Sequence, residues 1–195
     1  ETKLLQEQIN PHFLYNTLDT IVWLAEDRQY KAVVSMVTSL SGFFRSTLSS
    51  GKDFITVREE ENHIESYLKI QQVRYQDIME YQIEMEPETL DIMIPKLLLQ
   101  PLVENAVKHG ICQKGEGSGT VILTVKACPD CYEVIVSDDG VGFVPGTEAS
   151  GEGTHVGIRN VRQRLDLMCH AILEVQSEPG KGTTVTIRIP KEVGA

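Results

Sequence analysis

Two apolar stripes at helical spacing mark the beginning of the chain. Apolar residues that recur every three or four positions indicate amphipathic helices. The polar stretch "AEDRQYK" at residues 25–31 separates the stripes, so the pattern predicts a helical hairpin. Two helices bury little surface alone, and we therefore expect a homodimer with a four-helix bundle. The stripes are Leu4, Leu5, Ile9, Phe13, Leu14, Leu18, Ile21 and Val22, then Val33, Val37, Leu40, Phe44 and Leu48.

The stretch "SSGKDF" at residues 49–54 interrupts the helical pattern and predicts a domain boundary. Residues 1–54 would form the hairpin, and residues 55–195 a second domain. Thr56 and Glu59 have the spacing of a capping box, in which each side chain binds the other residue's backbone N–H. The pattern thus predicts a helix that begins after Thr56 and ends near Tyr75.

The second domain alternates between strand and helix patterns. "MEYQIEME" alternates as a strand, and "IPKLLLQPLVENAVKHGI" predicts a helix despite its internal proline. "TVILTVKA" and "YEVIVSD" predict a β-hairpin, "GIRNVRQRLDLM" a helix, and "ILEVQSE" with "TTVTIRIP" a final strand pair. These elements predict an α+β fold with about five strands under three helices.

Composition narrows the choice of partners. The chain has 195 residues and a formal charge of -10, which argues against nucleic acid as a partner, because nucleic acid attracts basic surfaces. No apolar run reaches the length of a membrane span, so we expect these residues to be soluble. Because the chain begins with Glu1, we expect it to be a fragment of a longer protein. Cys128 and Cys131 lack a second nearby ligand pair, which favours a hairpin turn over a zinc site.

Three motifs of the second domain contain polar residues or glycines that suit a nucleotide. Asn105 and Lys108 share one helical face and could meet a metal ion and a phosphate, although a solvated face is the plainer interpretation. "SDDGVGF" at 137–143 follows a strand and combines an acceptor with glycines, although it could be a simple turn. "GEGTHVGIRN" at 151–160 begins a helix and could cradle phosphates. Residues 141–156 between these two motifs suggest a lid or a surface loop.

The stretch "QINPHFLYNTLDTI" at residues 8–21 places a proline and a histidine inside a helical pattern. His12 falls on the polar face together with Asn16, and an exposed imidazole is a nucleophile near neutral pH. Pro11 removes a helix hydrogen bond and predicts a bend before His12. The alternative is that Pro11 simply begins the helix and His12 is an ordinary surface residue.

Taken in order, "QINPHFLYN", "PLVENAVKHG", "SDDGVGF", "GTHVGIRNVRQRL" and "GKGTTVTIRIP" resemble the LytS-type bacterial sensor histidine kinases. The resemblance covers essentially the whole chain. It implies that the second domain is an α/β sandwich of the GHKL, or Bergerat, type, shared with gyrase-type ATPases and heat-shock chaperones. It also implies ATP and Mg²⁺ as cofactors.

The same resemblance implies a role for individual residues. His12 would accept the phosphoryl group, and Glu104 is the candidate base. Asn105 would ligate Mg²⁺, Lys108 would approach the phosphates, and Asp138 would accept from the adenine amino group. The other expected nucleotide-binding residues are His109, Gly140, Gly142, Gly153, Gly157 and Thr183.

The resemblance further implies autophosphorylation on histidine and transfer to an aspartate in the receiver domain of a response regulator. It implies an upstream membrane sensor region and a cytoplasmic position for these residues. Two rival functions stay open: a nucleotide-binding regulatory module, and an ATPase of the gyrase type. Pro101 stands where the gyrase-type ATPases have a water-activating glutamate, which favours transfer to a side chain over hydrolysis.

Overall fold

A helical hairpin forms the first part of the structure, a computed structural model that describes residues 11–48, 52–115, 117–144 and 154–191. Helix α1 spans Pro11–Glu26 and helix α2 spans Tyr30–Leu48, as the two stripes predict. Arg28 adopts a left-handed φ of 61° in the short turn between them. Leu4, Leu5, Ile9 and the predicted bend before His12 lie outside the described residues.

The stripe that the sequence predicts on helix α2 is partly buried, because Val33, Leu40 and Phe44 pack against the core without being fully covered. Met36 and Phe43 are buried, whereas Val37 is 49% exposed. Phe43 packs against Phe13 of α1, with 5.0 Å between ring centroids, and Tyr67 of the next helix lies 5.4 Å from Phe13. The hairpin therefore packs one face on the following helix and leaves a second apolar face exposed.

Helix α3 spans Val57–Arg74 and joins the hairpin to the rest of the fold. The predicted capping box is confirmed: Thr56 Oγ1 accepts from the Glu59 N–H, and Glu59 accepts from the Thr56 N–H. The short strand β1, Phe54–Thr56, pairs antiparallel with β3, Met93–Pro95. Strand β1 thus contains residues from both sides of the boundary predicted between 54 and 55, and that division stays a prediction.

A five-stranded mixed sheet forms the second layer, with the strand order β2-β4-β5-β7-β6. Strand β2 pairs parallel with β4, and the other neighbours are antiparallel. The remaining strands are β2 Met79–Met85, β4 Gly119–Ala127, β5 Cys131–Asp138, β6 Ile172–Glu178 and β7 Gly182–Pro190. The β4–β5 connection is the predicted turn, in which the Cys128 N–H donates to the Cys131 carbonyl oxygen.

Successive side chains along the central strands point to opposite faces of the sheet, and one of these faces packs into the core. In register, Leu123 lies opposite Val136, and Val136 lies opposite Val185. All three are buried, because side chains of one parity face the helices. Helices α3, α4 (Gln100–Asn105) and α5 (Thr154–Met168) cover this face, which confirms the predicted α+β class.

Helix α4 begins later than its sequence predicts. Residues 93–95 are in strand β3, and Leu97 has a left-handed φ of 57°, so the helix starts at Gln100. The buried carboxylate of Glu60 in α3 accepts from the N–H groups of Leu97 and Leu99, each at 3.0 Å. A side chain 37 residues earlier in sequence, counted from Leu97, therefore caps this helix.

The helix continues past Asn105 with a π-helical turn, Ala106–Gly110, and a 3₁₀ turn, Ile111–Gln113. The N–H of Ile111 donates to the carbonyl oxygen of Ala106, five residues earlier. None of the helices in the described part of the chain is long and apolar enough to cross a membrane.

We expect Glu60→Ala to lower the free energy of unfolding by about 2–5 kcal/mol, because two buried N–H groups lose their acceptor. Denaturant titration measures this change. Glu65→Ala is the control on the same helix, since Glu65 makes only a surface ion pair with Lys69 and should cost less than about 1 kcal/mol. Equal effects of the two variants would contradict the capping role.

Candidate functional site

A cleft opens between helix α4 with its π-helical turn and the ends of strands β5 and β7. Apolar side chains line most of it, and a few polar groups converge on it, as in many small-molecule sites. Its lining residues are Leu102, Asn105, Ala106, His109, Gly110, Gln113, Val136, Asp138, Val141, Gly142, Phe143, Ile158, Thr183 and Val185.

Asp138 places a carboxylate at a position of β5 that faces the core. It follows Val134 and Val136 at the spacing of two residues and is only 8% exposed. Its Oδ1 accepts from the Gly140 N–H at 2.9 Å, and the Thr183 N–H is a second donor. Burial raises the pKa of Asp138 to about 6, against the lowering effect of these two donors. An acceptor in an apolar cleft can select a ligand that carries an N–H donor.

Gly110 and Gly140 allow the backbone of the π-helical turn to approach the backbone that follows β5, next to the Asp138 carboxylate. A Cβ atom on Gly110 would lie 2.4 Å from Asp138 Oδ1, and one on Gly140 would lie 2.3 Å from the carbonyl carbon of Gly110. Val141 continues the contact, because its N–H donates to the Gly110 carbonyl oxygen at 3.3 Å. A larger residue at Gly140 would push the π-helical turn away from β5, and one at Gly110 would displace the Asp138 carboxylate.

Asn105 lies at the end of helix α4 with its amide directed toward the start of α5. Its Nδ2 is buried and has no hydrogen-bond partner among the described residues. A Cβ atom on Gly157 would lie 2.9 Å from this atom, so a larger residue there would displace the Asn105 amide. A buried amide N–H donor without a partner calls for an explanation, and a bound ligand that accepts a hydrogen bond from it is one.

Glu104 and Lys108 form an ion pair one helical turn apart, next to the cleft. Lys108 Nζ donates to Glu104 Oε2, and Gln100 Nε2 donates to Glu104 Oε1 at 2.7 Å. Neither Glu104 nor Lys108 lines the cleft. Both carboxylate oxygens of Glu104 thus accept hydrogen bonds from side chains of its own helix and the π-helical turn.

His12 lies on the exposed face of α1, away from the cleft lining. Its Nδ1 is 2.8 Å from Nδ2 of Asn16, one turn later. The next residue, Phe13, is buried against Phe43 and Tyr67. Burial of Phe13 keeps the imidazole on the outer surface of the hairpin.

The structure brings together most, though not all, of the residues predicted for the nucleotide site. Asn105, His109, Asp138, Gly142 and Thr183 line the cleft. Two more contact its lining residues: Gly140 adjoins Gly110, and Gly157 adjoins Asn105. Gly153 lies outside the described residues, as does most of the predicted lid.

Sequence reasoning missed several residues of the cleft. Gly110 ends the quoted motif "ENAVKHG", so its position in that motif was an available signal. Phe143 ends the motif "SDDGVGF" and Ile158 lies within "GEGTHVGIRN", so the same signal was available for them. Gln113 carries no comparable signal, because only the tertiary fold brings it to the cleft.

Family models cover nearly the whole chain. Residues 1–79 match the family described as histidine kinase. Residues 91–193 match the family described as histidine kinase-, DNA gyrase B-, and HSP90-like ATPase.

Individual proteins agree with these family matches. The sensor histidine kinase YesM of Bacillus subtilis is 36% identical over 192 residues, which are 97% of this chain and 33% of that protein. The sensor protein LytS of Streptococcus mutans is 31% identical over 205 residues, which cover 100% of this chain and 35% of that protein. The chain thus spans about a third of the length of these relatives.

Solved structures share the fold. The histidine kinase domain of the Erythrobacter litoralis EL346 blue-light activated histidine kinase superposes with a TM-score of 0.58 at 21% identity. The match covers 97% of this chain and 90% of that domain.

We expect Asp138→Asn to weaken adenine nucleotide binding by about 1–3 kcal/mol while the protein stays folded. The amide can still accept from the Gly140 N–H, but it offers the ligand a donor or a weaker acceptor. Calorimetric titration with ATP measures the change. Asp139→Asn is the control, because this neighbouring carboxylate is exposed and accepts from the Thr120 N–H. Unchanged affinity in a folded Asp138→Asn protein would exclude the adenine contact.

The raised pKa of Asp138 predicts how binding depends on pH. As the pH falls through about 6, the carboxyl gains a proton and becomes a poorer acceptor, so affinity for the nucleotide should fall. Titrations between pH 5 and 8 test this in the parent protein. Asp138→Asn retains His109, so any pH dependence that remains in the variant belongs to other groups. Identical pH profiles for the two proteins would contradict the assignment.

Proposed function

The chain belongs to the sensor histidine kinase family, and on that premise we propose that it is the kinase core, which transfers the γ-phosphoryl group of ATP to His12. The proposed final acceptor is an aspartate in the receiver domain of a response regulator. The observation that supports this most directly is the cleft around Asp138, since its buried acceptor and glycine-lined floor suit adenine.

The nucleotide would enter the cleft with its adenine at Asp138 and Thr183. The apolar walls, including Val136 and Val185, would cover the faces of the base, and the Asp138 carboxylate would accept from its amino group. The phosphates would extend toward Asn105 and the start of helix α5. In this orientation the residues that bind adenine lie on the sheet, and those that meet the phosphates lie on the helices.

His12 is the proposed nucleophile because it is exposed and its helix is firmly anchored. An imidazole nitrogen forms the P–N bond as the bond between the γ-phosphorus and the β–γ bridging oxygen breaks, and ADP leaves with that electron pair. The attacking imidazole gives up its N–H proton to a base. Glu104 stays the candidate predicted for that role, although its two oxygens already accept from Gln100 and Lys108.

Asn105 suits a magnesium ion. Its amide nitrogen is buried and has no partner among the described residues, so it would donate to a phosphate oxygen and leave the amide oxygen to ligate the ion. The amide groups of such side chains supply oxygen ligands of the kind that Mg²⁺ prefers. When bound, the ion would neutralise charge on the phosphates. Asn105 would hold it at the end of α4, and Lys108 would stabilise negative charge on the transferred group as a point charge.

A homodimer is the proposed assembly, since the hairpin exposes an apolar face on both helices. Such a face is costly in water and typical of a protein interface. A four-helix bundle of two hairpins would cover it. We further propose that an upstream membrane sensor region controls this core on the cytoplasmic side of the membrane. The exposed apolar residues are Tyr15, Leu18, Val22 and Trp23 in α1 and Tyr30, Val34 and Val37 in α2.

We expect Asn105→Ala to abolish the Mg²⁺-dependent part of nucleotide binding and phosphorylation, with little loss of stability. Alanine cannot ligate the ion, and the buried amide nitrogen that it removes has no partner to lose among the described residues. ATP titrations with and without Mg²⁺ measure the metal dependence, and a thermal melt measures stability. Asn62→Ala, which removes an exposed amide on α3, is the control. Phosphorylation of Asn105→Ala at the parent level would show that the metal role is wrong.

We expect His12→Gln to bind ATP like the parent and to take up no label from radiolabelled Mg-ATP. Glutamine has similar reach but no comparable nucleophile. The label on the parent should be lost in acid and survive in base, because protonation of the phosphorylated nitrogen improves the leaving group. His170→Gln, at another exposed histidine, should be labelled normally. A label that persists in His12→Gln, or that survives acid in the parent, would contradict the proposed reaction.

A further inference from the structure

A continuous chain of side-chain hydrogen bonds runs from the helical hairpin to the proposed phosphate end of the cleft. Ser46 Oγ of α2 lies 2.6 Å from Nδ1 of His63 in α3. His63 Nε2 lies 2.9 Å from Gln100 Oε1, and Gln100 Nε2 lies 2.7 Å from Glu104 Oε1. Glu104 Oε2 in turn accepts from Lys108. The chain, called here the relay, thus links three helices and the π-helical turn.

The directions of the hydrogen bonds between Lys108 and His63 follow from the carboxylate end of the relay. An ionised carboxylate can only accept, so the amide nitrogen of Gln100 must face Glu104 and its oxygen must face His63. His63 therefore donates from Nε2. Burial lowers the pKa of His63, which favours the neutral ring. Ser46 Oγ also lies 3.1 Å from the Gly42 carbonyl oxygen and 2.9 Å from that of Phe43, so its single proton is shared between these acceptors and Nδ1 of His63.

His63 connects the relay to the helix that carries the nucleophile. Its ring is 1% exposed and stacks on Phe43, with 4.6 Å between the centroids. Phe43 in turn contacts Phe13, the neighbour of His12, with 5.0 Å between ring centroids. A shift of the hairpin would consequently move His63 and, through Gln100, the carboxylate that binds Lys108.

We propose that His63 is a positioning residue for phosphoryl transfer: it orients Gln100 and Glu104, and so sets the position of Lys108 according to the packing of the hairpin. This inference rests on the proposed function of the cleft. His63 is not among the residues that line the cleft, so its proposed effect on the transferred group passes through Gln100 and Glu104. It gives the hairpin a direct connection to the group that would stabilise the transferred phosphoryl.

The relay should affect the rate of transfer more than nucleotide affinity. Negative charge on the transferred group is redistributed in the transition state, so a displaced Lys108 loses most of its effect there. Ground-state binding depends mainly on Asp138 and the apolar walls, which the relay does not contact. A residue with a merely structural role would instead change stability without this separation of rate from affinity.

Two conservative variants of His63 distinguish the two ends of its ring. Glutamine places an amide nitrogen where Nε2 lies and can still donate to Gln100. Asparagine places its amide oxygen where Nδ1 lies, so it can accept from Ser46 but cannot reach Gln100. Gln100→Met, a linear apolar replacement at a partly exposed position, breaks the relay from the other side.

The experiment measures the rate of His12 labelling from Mg-ATP, the Kd for ATP and the melting temperature of each variant. We expect His63→Asn and Gln100→Met to be labelled about tenfold more slowly, with a change in Kd of less than about threefold. His63→Gln should stay within about threefold of the parent rate, and the His63→Asn/Gln100→Met double variant should be no slower than the slower single variant. The control Thr89→Val removes a buried hydrogen bond outside the relay and should leave the rate unchanged.

The outcomes separate this inference from the proposed function. A parent protein that takes up no label on His12 would overturn the proposed function. A labelled parent whose His63→Asn and Gln100→Met variants match it in rate would overturn the relay alone. Equal losses in His63→Gln and His63→Asn, or additive losses in the double variant, would show that His63 only fills space. If the His63 variants fail to fold, the rate of His12 labelling and the Kd for ATP of Gln100→Met test the relay on their own.

Discussion

The buried carboxylate of Glu60 is the constraint on which the arrangement of the cleft depends. It accepts from the N–H groups of Leu97 and Leu99 in the turn just before helix α4. Leu97 adopts a left-handed φ in this turn. Burial raises the pKa of this group to about 7, and the backbone donors oppose that rise. A carboxylate is expensive to bury, so its presence here indicates that the direction of α4 must be fixed closely.

The same turn is held from two other sides. Arg164 of helix α5 donates to the carbonyl oxygens of Lys96 and Leu97, and Lys96 Nζ donates to the Thr47 carbonyl oxygen at the end of α2. Acceptors on α3 thus bind the N–H groups of the turn, while a donor on α5 binds its carbonyl groups. Residues of the hairpin, of α3 and of α5 therefore all bind the turn that precedes α4.

Local sequence patterns predict most of the helices and strands, but they do not reveal contacts between residues that are far apart in sequence. The Thr56–Glu59 capping box and the alternation in β4, β5 and β7 depend on neighbours in sequence, and the structure contains them as predicted. The start of α4 was placed too early, because Glu60, far away in sequence, decides it. Asp138 was predicted because it ends an apolar strand beside glycines. His63 gave no signal, since its partners Ser46 and Gln100 are 17 and 37 residues away.

The π-helical turn at Ala106–Gly110 limits the insertions and deletions that the cleft can accept in related chains. Such a turn contains one residue more per closing hydrogen bond than an α-helix, and it is therefore equivalent to a single-residue insertion. Removal of one residue would restore an α-helical phase and rotate Gly110 away from Asp138 and Gly140. The close backbone contact that forms the floor of the cleft would then be lost. Length variation in related chains should thus be tolerated in the connecting loops and excluded from these five positions.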